Sequence, residues 1–226
     1  MRARVTRLGL VEWAFIGAVL ILIVAEWAAF QGGLGSYAAI ISVGYLLALF
    51  TGYLLYRHDK VAAQARAENA TALEGVDLFK DLTPQEIESV AALGERIQVS
   101  SGEVLGKAGG PGAYLYIIIN GSAQLSAESP VGEITVRIAG PGETFPLATL
   151  IDPGTLITSA TAMTDGEMLA IPRAELLALW KENPEIGMRM YAAVAGILAA
   201  RYRSTLAHLS SRAEQALRRM DFWANV

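Results

Sequence analysis

The chain has 226 residues, 53% of them hydrophobic and only 18% charged, against roughly 45–50% and about 25% in an ordinary soluble domain. This balance excludes a disordered protein, argues against a fully soluble enzyme and leaves room for one or two domains. Eighteen basic against twenty-two acidic residues give a net charge of −4, without cysteine and with only His58 and His208 as histidines, so disulfides, thiol nucleophiles, iron–sulfur clusters and cysteine or histidine-rich metal sites are excluded, and the charge total suggests no nucleic-acid surface.

The apolar excess is concentrated at the front. From Leu8 to Phe30 the only charged residues are Glu12 and Glu26, and from Leu34 to Tyr56 there are none. A bilayer core takes roughly 20 apolar helical residues. Two transmembrane helices are therefore predicted, at about 8–30 and 34–56. They are joined by the short uncharged link Gln31–Ser36 into a hairpin covering residues 1–57. A signal peptide would have a shorter apolar core and a polar chain behind it. Arg2, Arg4 and Arg7 precede the first span, and Arg57, Lys60 and Arg66 follow the second. Positive residues stay on the cytoplasmic side. Both termini and the remaining chain are expected there, at an inner (cytoplasmic) membrane.

Trp13 and Trp27 are fourteen residues apart, about 21 Å along a helix, the spacing of an aromatic belt. With Tyr56 they are the predicted membrane-interface residues. Glu12 and Glu26 share that spacing and read either as interfacial carboxylates or as contacts to a partner subunit. Gly44, Ala48 and Gly52 recur every four residues and form a small-residue ridge for helix packing, within the hairpin or against another chain.

Residues 58–75 are charged and alanine-rich and read as a helical linker, with Gly75 as its break. Residues 1–75 carry +1 and residues 76–226 carry −5, a change of sign that marks a domain boundary. Thr83–Pro–Gln–Glu86 is a helix start, with a capping hydroxyl, proline at the first position and glutamate three residues after the cap. From Arg96 short apolar runs alternate with Ser–Gly, Gly–Gly–Pro–Gly, Asn–Gly and Pro–Gly turns, the pattern of several short strands. The clearest run is Tyr114–Ile119, stopped by Asn120–Gly121. Helical patterning returns at Arg173. Pro184 opens a long helix with Ile186, Met190, Val194, Ile197 and Leu198 on one side.

These motifs, in this order, resemble the cyclic-nucleotide-binding domain family. Leu78–Leu82 looks like its opening signature and Ser101–Leu105 like the strand that follows. Gly109–Gly121 is similar to its turn and "YxIxxG" strand, Gly140–Phe145 to the start of its phosphate-binding cassette, and Ala162–Leu169 to the strand after it. Asn183–Pro184 precedes the final helix. The resemblance covers about residues 76–205. It implies an antiparallel β jelly roll with flanking helices, an α+β domain behind the transmembrane α-hairpin, with residues 206–226 left as a basic helical tail.

Members that bind cyclic nucleotide carry Gly–Glu after the cassette phenylalanine and an arginine about ten residues on. The resemblance implies that the glutamate accepts from the ribose hydroxyl and the arginine pairs with the phosphate. Here Pro146 and Leu147 follow Phe145, and the arginine position falls at Leu156 or Ile157. The expected ligand-binding segment is thus a degenerate cassette, Phe145, Pro146, Leu147, Ala148, Leu156, Ile157, Thr158 and Ser159, with the last two as neutral donors. A buried phosphate without a cation costs several kcal/mol, so cyclic nucleotide is not expected as a ligand. If one is held, the first candidate cations are Arg137, Arg201 and Arg203.

Catabolite-activator relatives carry a winged helix behind the lid helix. Twenty-three residues follow Arg203 here, and no nucleic-acid partner is expected. Residues 189–226 hold six basic and two acidic residues. This tail, with Arg212, Arg218, Arg219, Leu217, Phe222 and Trp223, fits a membrane surface, its own acidic domain or a partner protein. No catalytic constellation, cofactor or metal site stands out. The expected function is a non-catalytic membrane-anchored subunit or scaffold of a homo-oligomer or larger membrane complex. The alternative is a membrane-anchored sensor that takes a cyclic nucleotide non-canonically or an apolar ligand such as a lipid.

Overall fold

The computed structural model describes Val19, Trp27 and residues 35–130, 132–152 and 155–224, with residues 35–47 and a few others as backbone only. The chain divides into two compact units, Met1–Ala65 and Arg66–Val226. Most of the first predicted span, Trp13 included, lies outside the described residues. The second falls on the N-terminal part of helix α1 (Gly35–Leu73). Among the described residues no helix is long and apolar enough to cross a membrane. Trp27 and Tyr56 are exposed, with Lys60 Nζ 5.7 Å above the Tyr56 ring. Ala48 is exposed, and a Cβ at Gly52 would meet nothing within 4 Å.

The predicted span and linker are one helix rather than two elements. α1 ends at Leu73, and Gly75 behind it takes φ +82°, a backbone region open to glycine at little cost. Its last turns carry Ala70 and Leu73, both in the core of the second unit.

Helix α2 (Pro84–Ala91) begins with the expected capping box: Glu86 N–H donates to Thr83 Oγ1 at 3.4 Å and Thr83 N–H to Glu86 Oε2 at 2.7 Å. That backbone donor leads the causes that hold the Glu86 carboxyl below its ordinary value; desolvation opposes it, and the Thr83 hydroxyl and Arg189 add to the lowering.

Eight strands follow: β1 (Glu95–Val99), β2 (Val104–Gly106), β3 (Tyr114–Asn120), β4 (Ala123–Ser129), β5 (Gly132–Ala139), β6 (Thr144–Phe145), β7 (Ser159–Ala162) and β8 (Gly166–Pro172). Two four-stranded sheets form, in the orders β1-β8-β3-β6 and β2-β7-β4-β5, with every pairing antiparallel. Helix α3 (Ala148–Ile151) interrupts the strands, and α4 (Arg173–Glu182) and α5 (Pro184–Ala224) close the chain. This is the jelly roll with flanking helices that the sequence implied.

Side chains alternate across a strand, and that alternation builds two cores. Leu115 and Ile117 of β3 and Leu169 and Ile171 of β8 face a cluster with the helices, including Phe79, Val90, Trp180, Met190 and Val194. Ile118 and Met168, one residue out of phase, join Val99, Leu125, Ala139, Phe145 and Ala160 in a second cluster. The sheet of β3 and β8 is thus buried on both faces, which explains the unbroken apolar run Leu115–Ile119. The β3–β4 turn is tight. Gly121 has φ +86°, and a Cβ on Gly166 would lie 2.5 Å from the Asn120 carbonyl oxygen.

A buried polar joint ties α1 to this frame. Asn69 Nδ2 donates to the carbonyls of Gly94 at 2.9 Å and Ala91 at 3.3 Å. Arg96 Nε donates to Asn69 Oδ1 at 2.9 Å, and its other nitrogens reach Glu167 and the Glu68 carbonyl.

Candidate ligand-binding site

A cavity of about 610 Å³ opens in the second unit, within the usual range of small-molecule sites, about 300–1,000 Å³. Its wall is mostly apolar: Leu105, Leu125, Phe145, Pro146, Leu147, Leu156, Ile157 and Leu198 among others. Two arginines, Arg137 and Arg201, line it together with Thr158, Ser204, Thr205 and His208.

The cassette segment supplies one side. β6 ends at Phe145, the Phe145–Pro146 peptide is cis, and α3 follows with Leu147 at its N-cap and no side-chain cap. Leu147, the position implied for a glutamate, is 2% exposed and belongs to the helical core cluster. Leu156, one of the two positions implied for an arginine, is buried over Gly106, where a Cβ would lie 2.7 Å from its Cδ1. The alternative position, Ile157, is 75% exposed. Seven of the eight expected segment residues line the cavity. Ser159 does not; its Oγ accepts from the Ala108 N–H at 3.1 Å. Arg173 lies outside the lining as well, its Nε donating to the Thr149 carbonyl at 2.7 Å.

The aromatic part of the wall was not foreseen. Tyr116 stacks on Phe145 with ring centroids 5.4 Å apart, and Tyr114 lies 6.0 Å from Tyr116. Burial, with smaller contributions from Tyr114 and Glu103, raises the Tyr116 hydroxyl above its ordinary value, so it stays neutral at physiological pH. The signal was present in the Tyr–Leu–Tyr alternation, which puts both rings on one strand face.

The charged end combines strand and helix. Arg137 of β5 pairs with Glu143 and sends Nη2 to the Thr144 carbonyl at 3.4 Å. Arg201 of α5 sends Nη2 to that same carbonyl at 3.3 Å. Burial lowers the Arg201 guanidinium from its ordinary value, Arg137 lowers it further, and Glu143 opposes both. It remains charged in any case, as arginine does in proteins. Ser204, Thr205 and His208 continue on the same helical face at the i+3, i+4 and i+7 positions. Arg203, the third cation considered, is exposed and outside the lining.

Residues 96–183 match the family model of the cyclic nucleotide-binding domain. The chain is 32% identical over 132 residues to the cyclic AMP receptor protein of Thermus thermophilus, which covers 58% of this chain and 59% of that protein. It is 29% identical over 129 residues to a CRP-like cAMP-activated global transcriptional regulator of Mycobacterium tuberculosis, over 57% of this chain and 56% of the relative. The chain thus spans less than two thirds of either relative. The crystal structure of the Thermus thermophilus catabolite activator protein superimposes with a TM-score of 0.52 at 31% identity, over 59% of this chain and 62% of that one.

These findings correct two expectations. Cyclic nucleotide was set aside because the cassette lacks its arginine, yet the matched family is named for that ligand and one relative is a cyclic AMP receptor. Two of the three cations named outside the cassette, Arg137 of β5 and Arg201 of α5, line the same cavity. Nucleic acid was set aside on the total charge and on the twenty-three residues that follow Arg203, yet a relative is a transcriptional regulator. On the match over residues 96–183 and the shared fold, the chain carries a cyclic nucleotide-binding domain of the CRP-like jelly-roll type.

Proposed function

We propose that the second unit is a non-catalytic regulatory module that takes a cyclic nucleotide into its jelly-roll cavity, in a manner that does not use the usual cassette residues. The observation that carries this reading is the cavity of about 610 Å³, which has an aromatic wall at Tyr116 and Phe145 and two arginines, with no carboxylate among its described lining residues. A base can stack on the aromatic wall, and an anionic group can meet the guanidinium groups. The family match and the cyclic AMP receptor relative support the ligand class. A scaffold role alone gives such a cavity no task. Thermal melting of the full chain with cyclic AMP or cyclic GMP is the test. At a ligand concentration of 100 Kd the domain should gain about 2.7 kcal/mol, read as a rise in Tm. Unchanged melting up to millimolar concentrations of both nucleotides defeats the reading.

The apolar runs Leu8–Phe30 and Leu34–Tyr56, with their basic flanks, support a second element of the proposal. The module is held at a membrane with its jelly roll on the cytoplasmic side. The chain should then resist alkaline carbonate extraction, and a reporter fused after Val226 should be active in the cytoplasm. Release by carbonate, or a reporter active only outside the cytoplasm, removes this element and leaves the ligand reading intact.

A further inference from the structure

Arg137 and Arg201 come from different elements, β5 and α5, and meet at one acceptor, the Thr144 carbonyl oxygen. Each guanidinium carries five N–H donors. Among the described residues their acceptors are that shared carbonyl, at long range, and Glu143, which is the ion-pair partner of Arg137. Glu143 is further engaged by the Gly140 N–H at 2.8 Å. Two positive charges therefore face an apolar-walled space with one carboxylate to offset them. A charge drawn out of water is costly unless it is paired, and among the described residues most donors of this pair meet no protein acceptor.

We infer that Arg201 and Arg137 are the anion-binding end of the cavity and grip a phosphate ester group from the α5 side, while Leu147 and Leu156 serve as apolar wall. The inference rests on the reading of this cavity as a ligand site, but it does not depend on the ligand being a nucleotide. The phosphodiester of a cyclic nucleotide and the phosphomonoester of a single-chain lysophosphatidate both present at least two anionic non-bridging oxygens to a guanidinium fork. Arg201 is the decisive residue, because Arg137 already has a carboxylate.

The experiment is calorimetry on the full chain in mild detergent. The probes are cyclic AMP and a short-chain lysophosphatidate below its micellar concentration. The proteins are wild type, Arg201→Gln, Arg201→Lys and Arg203→Leu. Arg201→Gln keeps the length and polarity of the side chain, and circular dichroism melting verifies its fold. Binding of either probe should weaken at least tenfold in Arg201→Gln and less in Arg201→Lys. Arg203→Leu, an exposed change on the same helix, should bind like wild type. If cyclic AMP binds and Arg201→Gln matches wild type, the anion site is overturned and the proposed function stands. If only lysophosphatidate binds and Arg201→Gln weakens it, the anion site stands and the cyclic-nucleotide reading falls. Binding of neither probe overturns the anion site too, as does an equal loss in Arg203→Leu.

Discussion

Leu169→Ala should destabilise the domain by about 2–5 kcal/mol, the usual range for a leucine truncated in a packed core. Leu169 is fully buried at the centre of β8, between Arg96 of β1 and Ile117 of β3 in the sheet register. Its side chain fills the space above Gly94, where a Cβ would lie 2.7 Å from Leu169 Cδ1. The residue thus joins the sheet to the chain that leaves α2, and strands on both sides limit how far the surroundings can collapse. Urea unfolding followed by circular dichroism should show a lower midpoint with an unchanged m-value. Ile157→Ala is the control. That side chain is 75% exposed, and surface changes usually stay within about 0.5 kcal/mol. A loss below about 1 kcal/mol for Leu169→Ala would contradict the two-core description.

Asn69→Ala should cost about 1–3 kcal/mol, the range for leaving buried polar partners unsatisfied. Asn69 is 4% exposed and serves the Gly94 and Ala91 carbonyls and Arg96 Nε together. Removal leaves two carbonyls without that donor and one guanidinium nitrogen without its acceptor. Asn69→Asp should do no better, because an acceptor oxygen then faces the two carbonyls in place of a donor. An additive double variant with Arg96→Ala would argue against a shared network, since residues in one network couple by roughly 0.5–3 kcal/mol. The measurement is again the urea midpoint of the two singles and the double.

The strands were legible because their signals are local. Asn120–Gly121 ends β3 where the turn residues indicated, and the Thr83–Glu86 box starts α2 as its spacing required. Pro184 opens α5, and Ile186, Met190 and Val194 are buried as the periodicity implied. The polar joint at Asn69 was not legible. An asparagine in an alanine-rich helix looks solvent-facing until tertiary structure sets the Gly94 and Ala91 carbonyls beside it. The cassette leucines Leu147 and Leu156 line the cavity. Arg201 could be named only as a candidate cation, because it lies 56 residues beyond Phe145 in sequence and beside its strand neighbour Thr144 in space. Linear spacing measures what one segment can supply, whereas a cavity is furnished by every element that reaches it.

Helix α5 runs without interruption from Pro184 to Ala224, 41 residues, or about 60 Å at 1.5 Å per residue. Arg201 sits on it at the cavity, and the helix continues about 35 Å past that point by the same rise. A straight rod pivoting there magnifies angle into distance: a tilt of about 5° carries its far end about 3 Å. An event confined to one guanidinium and one carbonyl can thus be registered as a shift of about one atomic diameter by whatever meets the end of the rod.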